Sequence, residues 1–403
     1  MRAFAKTGLE VNWTPYQPKA TQAQASRTIV WILGFFSFLN VYAMQAVLPL
    51  VTQDLNITPA QAGLTVGVSV LAIALVSPFM GMLSDAWGRR QLMVISMFAL
   101  TVPTALIAMS QSLWVVLLMR FLQGLAVPGI VVVLIAYLSE EFQGSTLAKM
   151  TTTYVGGTVM GGFSGRFITG HFADWLSWRS GFWVLALINL LGAIWVWRSL
   201  PESRHFVANR NIAGAMAMLA QHLRNKRLLA ICAVGFCVLF TMVGTFTYIN
   251  FHLAQEPFRL SSAGLANIFM VYLVGAFATP FAGPLIARHG YLPSMLGGLC
   301  AGALGLALTL MPHLLVVLVG LVLCSCGVFV CQSATISRIA DRVTQGRSLA
   351  TGLYYMSYYA GGAAGTVVTG LAYEWYAWPA SVAAIAFFQL VAGAIAWRYM
   401  RNS

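Results

Sequence analysis

The sequence predicts an all-α membrane protein with twelve transmembrane helices arranged in two six-helix bundles. The first observation behind this prediction is a composition that is too apolar for a water-soluble globule. The second is a series of long apolar runs separated by turn residues, and the third is an internal repeat that relates the first six runs to the last six. Together these features predict the number of helices, their division into two bundles and their location in a lipid bilayer.

The composition indicates a bilayer-embedded chain. Of the 403 residues, 59% are hydrophobic and 8% are charged, whereas charged residues make up about a quarter of a typical soluble domain. The formal net charge is +13, but the basic residues are scattered between apolar runs and form no continuous patch that would bind nucleic acid. The predicted partners are therefore the lipid bilayer and a small organic molecule, with no nucleic acid, and a monomer is expected.

Apolar runs of a length that can cross a bilayer define the spans. They cover residues 28–50, 61–83, 91–110, 113–138, 148–170, 180–198, 228–250, 262–285, 293–311, 314–337, 348–370 and 378–398. With a cytoplasmic N-terminus, the cytoplasmic side holds all 23 Lys and Arg residues except Arg120, Arg166, Arg179 and Arg259. The positive-inside rule therefore predicts that both termini are cytoplasmic.

The same runs divide the chain into five parts. The first run is longer than the core of a signal peptide, so no cleaved signal is expected. The longest segment between runs separates six spans from six. The parts are a cytoplasmic N-terminal segment (1–27), a first bundle (28–198), a cytoplasmic linker (199–227), a second bundle (228–398) and a cytoplasmic tail (399–403).

The internal repeat is visible by comparing the chain with itself. The segment 77–81, Ser-Pro-Phe-Met-Gly, corresponds to Thr-Pro-Phe-Ala-Gly at 279–283. Eight residues between Tyr154 and Trp178 also reappear between Tyr354 and Trp378, while Asp174 is replaced by Glu374. Parallel duplication of a six-helix unit places a path for solute between the two units.

A short charged turn, Gly81-Met-Leu-Ser-Asp-Ala-Trp-Gly-Arg-Arg90, joins the second and third runs. Gly81 lets a neighbouring helix approach closely, Gly88 permits a sharp bend, and Asp85 can cap a helix or pair with Arg89 or Arg90. The order of these residues resembles the loop between helices 2 and 3 of the major facilitator superfamily. A plain positively charged hairpin is the alternative.

The resemblance implies a gating role for this turn. In that superfamily the acid of the turn engages the start of helix 11, and an arginine of the turn pairs with an acid that ends helix 4. Carried to this chain, Asp85 would make the first contact, while Arg89 or Arg90 would pair with Glu140 or Glu141. These contacts would close the cytoplasmic side in the outward-facing state, and breaking them lets one half rock against the other.

Arg120 lies about seven residues into the fourth run, roughly 10 Å below its outer end at 1.5 Å per residue. Such a cation should face the protein interior or a water-filled cavity, because exposure to lipid is costly. The segment Arg120-Phe-Leu-Gln-Gly124 resembles the fourth-helix motif of the drug:proton antiporter branch, which implies a role for Arg120 in proton coupling. The alternative is an arginine that only hydrogen-bonds helix carbonyls.

Arg166 is a second cation inside the first bundle, and its repeat partner is Thr366. The fifth run contains glycines but lacks the proline that the antiporter pattern usually has, so the role of that motif is not carried over. All ten acidic residues fall at the ends of runs or in loops. A cationic drug would require a buried carboxylate, so we expect a neutral or anionic substrate. The nearest candidates for proton coupling are Asp54, Asp174 and Glu374, together with His252 at the end of the seventh run, for which a plain surface residue is the alternative.

Polar and aromatic side chains near the middle of several runs are candidates for contact with the substrate. Tyrosines combine a flat apolar face with a hydroxyl, and an amide side chain provides both a donor and an acceptor. The alternative for each aromatic residue is packing between helices. The candidates are Phe38, Tyr42, Gln45, Arg166, Phe240, Thr241, Gln332, Tyr354, Tyr355 and Tyr358.

The six cysteines all lie within predicted spans, so they are expected to pack as small side chains without disulfides. No metal site or other cofactor is expected, and protons are the expected coupling ion. The chain also lacks the HExxH and GxSxG motifs of metalloproteases and serine hydrolases, so no enzymatic activity is expected.

The resemblance as a whole implies a bacterial inner-membrane transporter of the twelve-span antiporter type. Its expected activity is proton-coupled export of a small organic compound by alternating access. Export or uptake of a sugar or another metabolite on the same scaffold is one alternative, and a membrane receptor that transports nothing is another.

Overall fold

The computed structural model describes residues 20–202, 220–342 and 347–400, with side chains from residue 27 onward except at 278–280, 340–342 and 347–348. These residues form helices and connecting turns, without a strand in the described ranges. The helices are α1 (Ala20–Leu39), α2 (Leu48–Leu55), α3 (Pro59–Trp87), α4 (Arg89–Met109), α5 (Leu113–Ala126), α6 (Pro128–Glu141), α7 (Gly144–Trp175), α8 (Trp178–Ser199), α9 (Lys226–Leu253), α10 (Ser262–Ile268), α11 (Met270–His289), α12 (Tyr291–Leu308), α13 (Leu314–Arg342) and α14 (Arg347–Met400).

Eight helical stretches among the described residues are long and apolar enough to cross a bilayer, or nine if α10 and α11 form one bent span. The 54-residue α14 counts once, although Tyr376 and Ala377 interrupt it with non-helical backbone angles. The glycine- and threonine-rich α7 is long but is not among the eight. The all-helical fold is confirmed, whereas the count of twelve spans stays a prediction.

Most of the predicted linker (199–227), of the N-terminal segment (1–27) and of the tail (399–403) lies outside the described residues. We refer below to residues 28–198 as the first half and to residues 228–398 as the second half. The outer end of the bundle carries Pro59, Trp175 and Ser262, and the inner end carries Trp87, Arg89 and Glu141. These terms follow the orientation that the positive-inside rule predicts.

The first predicted span, residues 28–50, is not one continuous helix. The helix α1 ends at Leu39, a 3-10 turn covers Gln45–Val47, and α2 follows. Within the break, the carbonyls of Asn40, Tyr42 and Met44 accept from backbone N–H groups three residues onward, whereas those of Val41 and Ala43 accept from the side chains of Arg120 and Thr169. This break creates a row of acceptors in the interior of the first half.

Other boundaries follow local sequence signals. Pro128 begins α6 and separates it from α5, because proline lacks the N–H that would continue the hydrogen-bond ladder. Thr58 and Gln61 form a reciprocal capping box at the start of α3. Asn225 accepts two backbone N–H bonds at the start of α9.

The repeated glycines pack in equivalent positions of the two halves. A Cβ at Gly161 of α7 would overlap the carbonyl of Phe35 on α1, and a Cβ at Gly361 of α14 would overlap the carbonyl of Phe236 on α9. Both glycines therefore allow two helix backbones to meet, which is a common device in membrane helix packing. The repeat in the sequence corresponds here to a repeated helix contact.

Candidate functional site

Arg120 lies in the interior of the first half with no exposed surface. Its Nε donates to the carbonyl of Thr65 (2.7 Å), Nη1 donates to the carbonyl of Asn40 (2.7 Å) and to Gln123 Oε1 (2.8 Å), and Nη2 donates to the carbonyl of Val41. Two of these carbonyls belong to the break after α1. The guanidinium thus supplies donors where the broken helix needs them.

A polar network that the sequence reasoning missed surrounds this contact. The side chains of Asn40 and Asn189 exchange hydrogen bonds of 3.1 Å. Gln123 donates to Thr104 Oγ1 (2.7 Å), which in turn donates to Asn40 Oδ1 (3.3 Å). A glutamine three residues after a buried arginine, on the same helix face, was the available sequence signal.

Arg166 is the second interior cation and is 1% exposed. Its Nε donates to Gln45 Oε1 (2.8 Å) and its Nη1 donates to the carbonyl of Gly162 (2.8 Å). Its Nη2 has no hydrogen-bond partner among the described residues. Three rings surround the guanidinium carbon, those of Tyr42 at 4.7 Å, Phe269 at 4.5 Å and Tyr272 at 4.8 Å.

Gln45 connects Arg166 to the second half. While its Oε1 accepts from Arg166, its Nε2 donates to Thr247 Oγ1 at 3.0 Å. Gln45 and Thr247 are 202 residues apart, the offset that relates the charged turn to its copy. Two residues at equivalent repeat positions therefore meet each other, so the contact lies where the two halves face one another.

Charge inside the described part of the protein is positive. The buried charged side chains there are Arg89, Arg120, Arg166 and Arg338, whereas each described Asp or Glu is exposed or half-buried. A buried cation without a buried counter-ion is costly unless its donors are satisfied. The interior accordingly favours a neutral or negatively charged ligand over a cationic one.

The acids expected near the outer end all have partners. Asp54 forms an ion pair with Arg179 at 2.7 Å and accepts from Trp178 Nε1 at 3.2 Å. Asp174 accepts a 2.6 Å hydrogen bond from the hydroxyl of Ser261, which precedes α10 in the second half. Glu374 accepts from the backbone N–H of Ala60 at 3.2 Å.

The last two contacts are related by the repeat. Asp174 and Glu374 occupy equivalent positions, and each binds at the N-terminus of a helix in the opposite half. Glycines pack beside them, since a Cβ at Gly67 would overlap Thr366 and a Cβ at Gly170 would overlap Ala266. Polar contacts and close packing thus join the halves at the outer end.

The charged turn is organised around Arg89 at the inner end. Its Nη2 lies 2.5 Å from Asp85 Oδ1 and 2.6 Å from Glu140 Oε1, and its Nη1 donates to the hydroxyl of Ser84. Gly88 makes the sharp bend with a φ of 97°, a value that glycine adopts readily. The predicted pairings of Asp85 with Arg89 and of Arg89 with Glu140 are both present.

The other residues of the turn make different contacts from those expected. Arg90 donates to the carbonyls of Trp197 and Leu200 at 2.7 Å, and Glu141 is half-buried. A Cβ at Gly81 would meet nothing within 4 Å, so no helix packs closely on it in this conformation. The close approach of a neighbouring helix that was expected at Gly81 is therefore not present in this structure.

The expected substrate contacts separate into two groups. Tyr42 lies on Arg166, and the ring of Phe38 is 6.4 Å from that of Tyr42. Phe240 instead stacks on Phe388 with ring centroids 3.8 Å apart, which is packing within the second half. The remaining candidates lie in the second half as well. The buried hydroxyl of Thr241 has no partner among the described residues, and Gln332 is half-buried. The rings of three tyrosines contact one another, namely Tyr354, Tyr355 and Tyr358.

Three residues of the Arg166 site were not found from the sequence. Phe269 and Tyr272 flank the guanidinium at helical spacing, and Thr247 is the repeat counterpart of Gln45. Aromatic residues are common in membrane helices, so their spacing alone gave no reason to select them. Extending the repeat comparison to Gln45 would have selected Thr247.

The described residues contain no group of three or more His, Cys, Asp or Glu side chains that could hold a metal ion. Two of the cysteines pack between helices, since the thiols of Cys324 and Cys331 donate to the helix carbonyls of Gly302 (3.3 Å) and Met295 (3.4 Å).

Comparisons with known proteins agree with this architecture. The model of the Major Facilitator Superfamily matches residues 30–343 and 260–403. The MFS-type transporter YybF of Bacillus subtilis is 31% identical over 360 residues, which is 89% of each chain. The inner membrane transport protein YnfM of Escherichia coli is 32% identical over 370 residues, covering 92% of this chain and 89% of YnfM.

Solved structures show the same fold. The nucleoside transporter NupG superposes with a TM-score of 0.77 at 15% identity, over 93% of this chain and 99% of the NupG chain. A bacterial homologue of the lysosomal transporter Spinster superposes with a TM-score of 0.75 at 15% identity, over 95% and 98% of the two chains. The chain is therefore a membrane transporter that belongs to the Major Facilitator Superfamily.

Proposed function

We propose that this protein is a proton-coupled secondary transporter that exports a small neutral or anionic organic compound by alternating access. The observation that carries the proposal is the uneven contact between its two halves. At the outer end, hydrogen bonds from Ser261 to Asp174 and from Ala60 to Glu374 join them.

Among the described residues of the inner end, a Cβ at Gly81, at Gly283 or at Gly352 would meet nothing within 4 Å, so no described atom packs closely on these positions of α3, α11 and α14. A molecule closed at one end and open at the other is one of the two states that alternating access requires. We assign this structure to the inward-facing state.

The interior supports the class of substrate. Arg120 and Arg166 are buried without a buried acid among the described residues, and a cationic guest would add charge of the same sign in a medium of low dielectric constant. Tyrosines beside Arg166 provide apolar surface with hydroxyl groups. Such a lining suits a small organic compound that is neutral or negatively charged.

Proton coupling rests on Arg120 together with the outer acids Asp54 and Asp174. Asp174 accepts a hydrogen bond from the opposite half as a carboxylate, and its protonation weakens that charge-assisted bond. A proton from outside the cell would thus favour opening of the outer end, while Asp54 holds Arg179 beside the same end. The relatedness to YnfM, whose name places it in the inner membrane, supports the same location here. The positive-inside rule is what supports cytoplasmic termini.

Inverted membrane vesicles provide the test. With an exporter that exchanges protons for substrate, adding a transported compound should alkalinise the vesicle lumen, and collapsing the pH gradient should stop accumulation. Accumulation that is indifferent to the pH gradient would rule out proton coupling while leaving transport in place. Absence of flux for neutral, anionic and sugar compounds alike would instead favour a receptor that transports nothing.

A sugar or metabolite transporter remains the second candidate on the same scaffold. The nucleoside transporter NupG and the chain share a fold, and that fold is compatible with uptake as well as export. The orientation of flux in right-side-out and inverted vesicles separates the two directions.

A further inference from the structure

We propose that tyrosines from both halves form the loading site for a neutral, planar aromatic compound, and that this compound draws the halves together at the inner end when it binds. The proposal rests on the proposed transport function, because it names the substrate class of that function and the place where the substrate loads. The site lies inward of Arg166, so a compound that occupies it leaves the outer end closed.

Five tyrosines of the two halves lie close together in the interior. The second half provides three of them on α14, Tyr355, Tyr358 and Tyr359, whose ring centroids are 5.6 to 6.3 Å apart. The first half provides Tyr42, beside the break after α1, and Tyr154 on α7. Tyr359 is near enough to Tyr42 and to Tyr154 to interact with both electrostatically, so the two sets of rings face each other across the interface of the halves.

A space separates the two sets of rings. Among the described residues, ring contacts join the α14 tyrosines to one another, but none joins them to Tyr42 or Tyr154. The five hydroxyl groups form no hydrogen bond with another described residue, and none of their oxygen atoms is fully enclosed. The rings and hydroxyls therefore border a space that a flat molecule can enter.

This space lies nearer the inner end than Arg166 does. Tyr154 is ten residues from the inner end of α7, and Tyr355 and Tyr359 are eight and twelve residues from the inner end of α14. At 1.5 Å per residue, these positions are roughly 12 to 18 Å from the inner end. Arg166 is twelve residues farther outward on α7 than Tyr154. A compound that enters from the cytoplasm thus reaches the tyrosines before it reaches Arg166.

The helices α3 and α14 separate toward the inner end. They run in opposite directions and meet where a Cβ at Gly67 would overlap Thr366. Gly81 is fourteen residues inward from Gly67, and Gly352 is fourteen residues inward from Thr366, so both lie at one level, roughly 21 Å below that contact. A Cβ at either glycine would meet no described atom within 4 Å. The tyrosines of α14 lie between these two levels, where the halves have begun to separate.

The space offers hydrogen-bonding groups without charge. A tyrosine hydroxyl both donates and accepts, and its ring presents a flat apolar face. In the described part of the chain, Arg166 is the charged side chain that contacts this group, through the ring of Tyr42 at 4.7 Å. The rings of Phe269 and Tyr272 also cover its guanidinium, so a charged group among the tyrosines would have no ionic partner. An unpaired buried charge is costly, which favours a neutral aromatic compound with hydroxyl or carbonyl groups at its edge.

A flat compound in this space contacts both halves at once. Stacking on rings of the first half and of the second half is most complete when the halves approach, so the compound binds the state with a closed inner end more tightly than the open state. A ligand shifts a conformational equilibrium by that difference in affinity. The outer contacts of Asp174 and Glu374 are not involved, so loading closes the inner end before the outer end opens. This is the order that export by alternating access requires.

Equilibrium dialysis of the purified full-length protein in detergent measures binding, with protein-free micelles as the blank. The probe is naphthalene-2,7-diol, which is planar, neutral and able to form hydrogen bonds at both ends. The comparison compounds are saturated decahydronaphthalene-2,7-diol, anionic naphthalene-2-carboxylate and cationic naphthalen-2-ylmethylammonium. The aromatic diol should bind about tenfold more tightly than each of them, because it alone stacks on both halves without burying a charge. Equal binding of the saturated diol, of the anion or of the cation would overturn the assigned ligand class.

Substitution of one tyrosine in each half locates the effect. Tyr154→Leu and Tyr359→Leu each remove one stacking face and should weaken binding of the aromatic diol about tenfold. Tyr359→Phe keeps the ring and should weaken binding only about threefold, as expected for one hydrogen bond. Tyr373→Leu is the matched control and should bind at parent affinity, because Tyr373 is a buried tyrosine of the same helix that stacks on Tyr248 near the outer end. Parent affinity in both Tyr154→Leu and Tyr359→Leu would overturn the tyrosine site.

Closure of the inner end is measured in a protein that keeps every tyrosine. Spin labels on Gly81→Cys of α3 and Gly352→Cys of α14, where a side chain has room, report the distance between the halves. The exposed Cys300 and the half-buried Cys326 are replaced by serine to prevent labelling there. The aromatic diol should increase the population with a short distance, and the cationic compound should not. Binding of the diol without a change in the distance distribution would overturn closure by the ligand.

Transport in inverted membrane vesicles separates the tyrosine site from the proposed function. Diol binding that depends on Tyr154 and Tyr359, without uphill transport of the diol, would support the site and count against the proposed function. Proton-driven transport of a different compound, together with diol binding that is insensitive to both leucine substitutions, would support the proposed function and overturn the tyrosine site.

Discussion

Replacing Arg120 with methionine tests whether this arginine holds the broken first span together. The substitution removes the guanidinium from three carbonyls and one amide oxygen, those of Asn40, Val41, Thr65 and Gln123, of which the Asn40 carbonyl keeps the N–H of Ala43 at 3.3 Å. A buried acceptor left unsatisfied costs about 1–3 kcal/mol, and relief of the desolvated charge offsets part of the sum. We expect the free energy of unfolding to fall by roughly 4 kcal/mol.

Lysine at the same position provides a graded comparison. Its ammonium has three N–H donors for the four acceptors, so Arg120→Lys should lose about 1–3 kcal/mol. Arg259→Gln, on the exposed outer loop, should stay within about 0.5 kcal/mol of the parent. Reversible unfolding in detergent, followed by far-ultraviolet circular dichroism, measures all three.

The result that would refute the reasoning is an Arg120→Met protein as stable as the parent. It would mean that water or a rearranged helix satisfies the carbonyls, and that the arginine is retained for another purpose. A folded Arg120→Lys protein also tests proton coupling. If Arg120 takes part in proton exchange, the variant should retain downhill flux of substrate but lose uphill accumulation. If its role is purely structural, the folded variant should retain both.

Three further experiments with substituted proteins test the gates. Asp85→Asn should leave folding nearly intact but lower transport several-fold, and unchanged transport at equal expression would count against an inner gate. Gly67→Ala places a methyl group against the second half and should destabilise the closed outer end by about 1–3 kcal/mol. A cysteine placed at the outer end should then be labelled faster. Gly156→Ala is the control, because a Cβ there meets nothing within 4 Å, and it should be labelled at the parent rate. Asp174→Asn together with Glu374→Gln should also speed that labelling, and equal rates would show that these two acids do not hold the outer end closed.

Several conclusions were available from local sequence alone. The apolar composition and the length of the runs required a membrane-spanning helical chain, because a backbone in lipid must satisfy its own hydrogen bonds. The charged turn and the repeat were sufficient to predict the family, which the comparisons confirm. The pairing of Arg89 with Glu140 also followed from the family pattern, and it is present in the structure.

Tertiary structure alone decided which side chains share a site. The break after Leu39, which creates the carbonyls that Arg120 binds, is not evident in a run of residues whose hydropathy stays high. The rings of Phe269 and Tyr272 reach Arg166 only because α7 of the first half packs against α10 and α11 of the second half.

The sequence by itself determined that the chain lies in a lipid bilayer, that it is helical and that buried positive charge belongs to the first half, since these properties depend on composition and on positions along the chain. It did not determine which end of the molecule is closed. That property depends on how two rigid halves pack, and the same sequence must support both packings for transport to occur. The contacts of Asp174, Glu374 and Gln45 across the halves show one of them.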